Sequence, residues 1–597
     1  MKFFLITVIV TLLRDVGAAT YYVKTNGNNS ADGLSVGNAW LTLQKAADTV
    51  TGGDVVRAQH GLYSERVTET TDGTAGSPIT YLADGALGSV VLEGGFTFNG
   101  SDYCRLVGFE ITQTSPTNQT SAVLLSDGPT GCEVLDNYIH HTYGSGSGTA
   151  CGVRGLGVRW LTLRGNRIEW TGKGSGTGDI AIQISGWTNI IEYNAISHSS
   201  DYIVATGTNT LVRNNYLGLQ LGTNDFPNFP GSDGFGHHID GWQIGSPGTV
   251  RGWMDSNYMF SNAVHHSHVA LFQNPDGNDA TQIIARRNLA ARLGGGGAAF
   301  ASVTSGYGYN NTFADFSISP TLGATTGFIA DNYQSGVCTN IHLFNNIFHT
   351  LGDGSTAYFY AAGNENGRYS DFNVWTNAVD PDPAEGNGIE GNPGLINFAG
   401  QNYYITNTGL AYGLSAPHTL ANGSGSSSTV LVVDNALRFF DGMGRVDGDW
   451  IKVGSGAVQV SSINYATHTI TLTTARSWSD NDEVWLADPV MRQADAGAWP
   501  FRAGGYGIAA TFVEAGGTAT VTVDPGLVRM LIAYADGLPG VPVYCSTTTT
   551  NVSVSGDYEI RAYPRYASAE PLWVAAAAGF ATGNAGRMNV GTINKVQ

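Results

Sequence analysis

The sequence predicts an all-β chain built around a single-stranded parallel β-helix, and three observations predict it. An asparagine, any residue and then usually a large apolar one recur nine times, at Asn137, Asn166, Asn194, Asn215, Asn257, Asn288, Asn311, Asn346 and Asn373. Repetition at roughly 21 to 42 residues marks a solenoid in which each turn packs only on its neighbours. The 81 glycines and a charged fraction of only 13% fit many tight turns between short strands. Beyond about the first fifty residues no apolar stripe of helical period is sustained, which argues against a helical array. In a β-helix the apolar residue points inward, while stacked asparagines bond one another and the turn backbone.

Taken in order, residues 1–19 read as a secretory signal. Lys2 precedes the apolar run Phe3 to Leu13, interrupted by Arg14 and Asp15, and small residues Gly17, Ala18 and Ala19 follow. The run is too short to span about 30 Å of hydrocarbon, so a secreted or cell-surface protein with no membrane insertion after cleavage is expected. Next come a strand from Thr20, a short amphipathic helix with Leu43, Ala46, Ala47 and Val50 on one face, and a strand from Gly53. The helix reads as a plug over the open end of the coil. This order, with the asparagine ladder, resembles the entry of secreted right-handed parallel β-helix proteins related to pectate lyases and other polysaccharide-degrading enzymes. The resemblance covers residues 20–415. It implies a polysaccharide substrate in a groove along the coil, while the same coil elsewhere carries hydrolases, epimerases and phage tailspikes.

Residues 416–489 change character. A Gly/Ser-rich stretch leads into short alternating strands, read as a small β-barrel-like module. Asp495 to Phe501 resembles the closing motif of secreted β-helices, so residues 490–509 are expected to close the coil and the module to be inserted before them. Residues 510–578 carry alternating runs that suggest a β-sandwich-like domain, and 579–597 read as a weakly structured tail.

Bulk charge narrows the partners. A formal charge of −19 with 29 Lys+Arg spread over the chain excludes nucleic acid, which needs a basic stripe. It also repels an acidic glycan unless a local basic patch or bound Ca²⁺ intervenes. The five cysteines show no zinc-ligand spacing. Cys104 and Cys132 align on successive turns, about 4.8 Å apart. They form either a disulfide or two stacked core thiols.

Registering the turns by the ladder also registers the strands after the loops. Asp179, Asp201, Asp240 and His268 then form a column on four consecutive turns, to within one residue of register. Asp201 and Asp240 lie about 5 Å apart and Asp179 and Asp240 about 10 Å, close to the carboxylate separations of retaining and inverting glycosidases. The same three aspartates are the candidate Ca²⁺ ligands. In a lyase the metal would hold the uronate while a base removes the adjacent proton. The resembling pectate lyases use Lys or Arg, which points to Lys173 or Arg292, although the family's base motif is not matched cleanly. His238 and His268 are the imidazole candidates. Trp170, Gln183, His198, Trp242, Gln243, Phe260 and Gln273 are the expected substrate-binding residues, the aromatics because sugar faces stack on rings. His140, His141 and His349 are expected outside the site. The reading is therefore a secreted carbohydrate-active enzyme, a Ca²⁺-assisted lyase on an acidic glycan. The alternatives are a glycoside hydrolase with an Asp pair, or a tailspike-like glycan-binding rod, in which a homotrimer would fit although nothing indicates one.

Overall fold

The protein is described by a computed structural model covering residues 18–85, 87–113, 121–142, 151–171, 180–199, 201–218, 240–244, 249–260, 280–291, 297–314, 326–331, 338–349, 356–360, 366–376, 385–397, 402–454, 456–487, 511–515, 518–522, 528–535, 538–539, 542–545, 549–553, 558–564 and 591–594. All nine asparagines stack in one buried column. From Asn137 to Asn346, each rung's backbone N–H and side-chain amide both donate to Oδ1 of the next, at 2.9–3.1 Å. The second amide hydrogen goes to a carbonyl of the preceding coil, from Leu106 for Asn137 to Leu343 for Asn373. Phe109 N–H opens the column on Asn137 Oδ1. Glu385 closes it, its carboxylate accepting both donors of Asn373. Asn215→Ala is expected to strand several of these buried groups and cost about 3 kcal/mol, at roughly 1–3 kcal/mol per unsatisfied group. The denaturant midpoint measures it.

The ladder sits between two of three faces. Strands such as Val123–Ser126, Val153–Arg159, Ile180–Trp187 and the first half of Asp201–Arg213 form the first face. Glu133–Leu135, Thr162–Arg164, Ile190–Glu192 and the end of Asp201–Arg213 form the second. Tyr138–His140, Arg167–Glu169, Ala195–Ser197 and Tyr216–Gly218, just after the asparagines, form the third. All are parallel. Alternation sends every second residue inward, so the third face stacks Ile111, Ile139, Ile168, Ile196, Leu217 and Met259 in the core. The helix Leu43–Ala47 buries Leu43, Ala46 and Ala47 at the entry, as expected of a plug. Glu65 accepts from the N–H groups of Leu43 and Gln44 at its N-terminus. Cys104 and Cys132 are separate, buried thiols, and burial pushes the Cys132 thiol up to about 12.

Among the described residues the last parallel rung is Ile389–Glu390, after which Leu395–Asn397 and Asn402–Ile405 pair antiparallel. Ile405 and Ala411 fold back onto Ile347 and Val374 of the third face.

Between Thr419 and Ala487 six antiparallel strands form one sheet, and an Ala421–Val433 bridge joins its end strands, closing the module into a barrel. The module docks on the second face. Phe439 and Phe440 pack in one core with Ile190, Leu211, Trp253, Ile284 and Tyr307. Beside that seam runs a column of alternating charge on consecutive coils, Arg164, Glu192, Arg213, Asp255 and Arg286. The module supplies Asp447 to Arg213 at 3.3 Å and Asp449 to Arg286 in a two-pronged pair at 2.6 and 2.7 Å. Arg287 adds to Asp255. With Arg287, four guanidiniums face four carboxylates, so the charges of this column balance.

The closing segment expected at 490–509 lies outside the described residues. Beyond it, Thr511–Ala515, Thr518–Thr522 and Thr549–Ser553 form one antiparallel sheet, and Val528–Ala535 with Tyr558–Pro564 centre another. The tail expected to be weakly structured contributes a strand, Gly591–Asn594, paired with Tyr558–Pro564. Among the described residues no helix is long and apolar enough to cross a membrane.

Candidate functional site

The corner that joins the third face to the first gathers polar and aromatic side chains. On the outward side of the third face, Glu110, Tyr138, Arg167 and Ala195 share one column, and Thr112, His140, Glu169 and Ser197 the next. Arg167 forks onto Glu169 at 2.8–3.1 Å and lies over the Tyr138 ring, while Tyr138 O–H donates to Glu169. His140 Nε2 is 3.1 Å from Glu110 Oε1, and its ring stacks on Tyr138 at 4.1 Å.

One residue further along each coil come Gln113, His141, Trp170 and His198. The last three adopt left-handed backbone, with φ of 51°, 56° and 52°. Such φ values are uncommon for bulky residues and hold only where the surrounding fold enforces them. Here the repeat enforces them, and it stacks the rings: His141 on Trp170 at 6.0 Å and 15°, Trp170 on His198 at 4.1 Å and 12°. Beneath the rings Thr171 Oγ1 donates to Ser199 Oγ at 2.7 Å. His198 is 7% exposed, while Trp170, stacked between His141 and His198, keeps part of its surface open.

The chain then enters the first face at Asp201. The pairing of Ile203 with Trp242, carried two residues back, sets Asp201 level with Asp240. Tyr202 N–H donates to the Asp240 carbonyl at 3.0 Å, and Asp240 N–H reaches Asp201 Oδ1 at 3.3 Å. Asp240 is fully buried and Asp201 half-buried. The residue level with Asp201 on the preceding coil is Ile180, one position beyond Asp179, so the expected aspartate column is one residue out of register there.

Trp242 belongs to the core. The register places it inward under Val153, Ile182 and Ile203, fully buried, with its indole N–H on the Ala205 carbonyl at 3.2 Å. It cannot stack on a sugar as expected. Gln183 and Gln243 occupy the outward column with Arg154 and Val204, and Arg154 donates to Gln183 at 2.9 Å. Phe260 ends the third-face strand Tyr258–Phe260, opposite Gly218. Asp179, Lys173, His238, His268, Arg292 and Gln273 lie outside the described residues.

Sequence reading set His140 and His141 apart from the site, and the structure places both in its wall. The available signal was the His-His pair at the position where the following turns carry Trp170 and His198.

No family model matches the sequence, and no curated relative matches it. Among solved structures, the chain is similar to the PL6 family alginate lyase AlyGC, at 13% identity and a TM-score of 0.41, covering 68% of this chain and 60% of that one. It is also similar to a GH136 lacto-N-biosidase from Eubacterium ramulus, at 12% identity and 0.38, covering 62% and 68%. A mannuronic acid specific polysaccharide family 6 lyase from human gut microbiota follows, at 12% and 0.36, covering 56% and 83%. At these identities and scores the fold rests on the protein's own strand ladder, and the reaction on its own residues.

Proposed function

We propose that the protein is a carbohydrate-active enzyme that cleaves glycosidic bonds of a polysaccharide laid along the corner between the third and first faces, by β-elimination on an acidic glycan. The observation that carries this is the ring stack of His141, Trp170 and His198 at that corner, its last ring three residues before Asp201 and its neighbour Asp240. An apolar sugar face packs against the exposed part of this aromatic wall, and the groups beyond the corner meet the ring substituents. Arg154, in the outward column of the first face, supplies local positive charge that a uronate needs on a chain of −19, whereas Arg167 is already paired with Glu169.

Ca²⁺ takes six to eight oxygen ligands, with roughly 2.3–2.6 Å contacts. Among the described residues no group of three His, Cys, Asp or Glu is placed to hold a metal. Asp201 and Asp240 alone do not make such a site, so no step is routed through the ion, and it enters only as an arm of the assay.

A second reading, hydrolysis, is favoured by the Asp201–Asp240 pairing itself. Consecutive rungs lie about 4.8 Å apart, near the roughly 5–5.5 Å between the carboxyl groups of retaining glycosidases. Incubation with uronate and neutral polysaccharides, with Ca²⁺ or chelator, separates the readings. Elimination raises both reducing ends and the ultraviolet absorbance of unsaturated ends. Reducing ends alone indicate hydrolysis, and no cleavage across the panel leaves a glycan-binding rod. Trp170→Ala is expected to raise KM by roughly 3- to 10-fold with kcat little changed, since a stacking platform binds ground and transition states alike.

A further inference from the structure

Two tryptophans stand in solvent where the first face turns into the second. Trp160 is 48% exposed and Trp187 47%, whereas Trp242, Trp253 and Trp375 are buried. They lie on adjacent coils: Trp187 pairs with Arg159, and the Trp160 N–H donates to the Trp187 carbonyl at 3.0 Å. Rungs about 4.8 Å apart set the two residues side by side. Trp160 has left-handed backbone, with φ of 54°, and Arg445 of the barrel module holds the residue that follows each indole, donating to the Thr188 carbonyl at 2.9 Å and the Leu161 carbonyl at 3.3 Å. The backbone that carries both rings is thus fixed before any ligand arrives. The Arg159 guanidinium lies 4.8 Å from the Trp187 ring centre. Arg159 is exposed, and among the described residues it has no carboxylate partner and Trp160 no ring or cation partner. Around the rings the rows are polar. Thr130 is level with Arg159, Thr188 follows Trp187, and Thr208 separates Trp187 from Val250. Two indoles offer at most about 500 Å² even if wholly covered, short of the roughly 800 Å² that each side of a stable protein interface buries. The patch therefore suits a sugar chain, and its unpaired guanidinium suits an acidic one.

We infer that Trp160, Trp187 and Arg159 form a second glycan-binding platform, which holds a distal stretch of the acidic polysaccharide whose cleavage is proposed above; the substrate class rests on that reading. Sugar faces pack on the indoles, and the guanidinium donates to a uronate carboxylate. Thr208, level with Trp187, lies seven residues along its strand from Asp201, about 23 Å at about 3.3 Å per residue. The platform anchors the polymer well outside the cleavage corner, so its loss weakens binding and leaves the chemical step in place.

Affinity electrophoresis of the full chain through gels holding polygalacturonate, alginate or neutral xylan tests this. The wild type is expected to be retarded by an acidic probe. Trp160→Ala and Trp187→Ala are each expected to weaken that binding roughly 3- to 10-fold, while Trp187→Phe, which keeps a ring, retains most of it. Both side chains are exposed, and an unchanged melting temperature verifies the fold of each variant. Arg159→Ala is expected to weaken binding to the acidic probe, and unchanged retardation, or a wild type that prefers xylan, overturns the uronate assignment. On a polysaccharide that the wild type cleaves, Trp160→Ala is expected to raise KM with kcat unchanged, and to leave KM for a short oligosaccharide of the same sugar unmoved. Equal retardation of the wild type and both alanine variants overturns the platform, and cleavage in the same samples leaves the proposed function standing. Tryptophan-dependent binding by a protein that cleaves nothing keeps the platform and overturns the cleavage reading. A change of sedimentation mass in Trp160→Ala makes the patch a contact between copies of this chain and overturns the glycan assignment, as does a wild type that none of the probes retards.

Discussion

Asp240→Asn and Asp201→Asn are each expected to lower turnover by about 10²–10⁴-fold, the usual worth of a positioned acid or base, while leaving the fold in place. Asparagine keeps the shape of aspartate, and its carbonyl oxygen at position 201 still accepts the Asp240 N–H now held at 3.3 Å. At position 240 the change keeps the size and shape of a side chain that is 0% exposed. Activity and melting temperature therefore have to be measured together. Turnover lost at an unchanged melting temperature places both carboxyls in the chemistry. If both quantities fall, the pair holds the corner and does not react, and full activity in both variants removes it from the site.

The largest expected loss of stability is at Asp255. This residue is 1% exposed, and its carboxylate accepts from Arg286 at 2.9 Å, from Arg287 Nε at 2.8 Å, and from Ser256 at 2.8 Å. Burial would lower the Arg286 pKa, but Asp255 and Asp449 outweigh it and hold the guanidinium well above its ordinary value. Asp255→Ala leaves that charge with Asp449 alone and leaves Arg287 without the carboxylate it grips. Breaking such a buried pair costs roughly 3–5 kcal/mol, read as a drop in denaturant midpoint. The half-buried Arg57–Asp84 pair, far more solvated than Asp255, is the control, where Asp84→Ala should cost about 1 kcal/mol. Along the same column burial raises the Glu192 pKa, and Arg213 and Arg164 outweigh it to hold the carboxyl at about 2. A depressed carboxylate contributes stability fully above its unfolded pKa of about 4.3, and loses it as pH falls toward 2. The module's seam is accordingly expected to loosen in strong acid, seen as proteolytic cleavage between residues 416 and 487 below about pH 3.

The coil was legible because one residue type recurs on one rung. Asparagine at Asn137, Asn166 and their successors needs no knowledge of the neighbouring coil to be seen. The charge column was not legible. Arg164, Glu192, Arg213, Asp255 and Arg286 alternate in kind, and only the rung register shows them side by side, with Asp447 and Asp449 arriving from far along the chain. Register to one residue also decided the site. A single step separates Asp179 from Ile180 opposite Asp201, and it sent Trp242 inward when its neighbour Gln243 faces out. His140 and His141 were set aside because what gives them meaning, Glu110 and Trp170, lies on other coils.

The asparagine column also has a polarity. Every rung hands its backbone N–H and one amide hydrogen in one direction, from Phe109 toward Glu385, so these bonds add their dipoles like those of a helix laid on its side, with the positive end at Asn373. A carboxylate is the natural terminator of such a series. It accepts what the last asparagine offers, and its side chain has nothing to pass on. Glu385 thereby sets where the stack ends. Replacing it with glutamine would restore a donor at that end, and with it the means to recruit one more strand, from the same chain or from another copy of it.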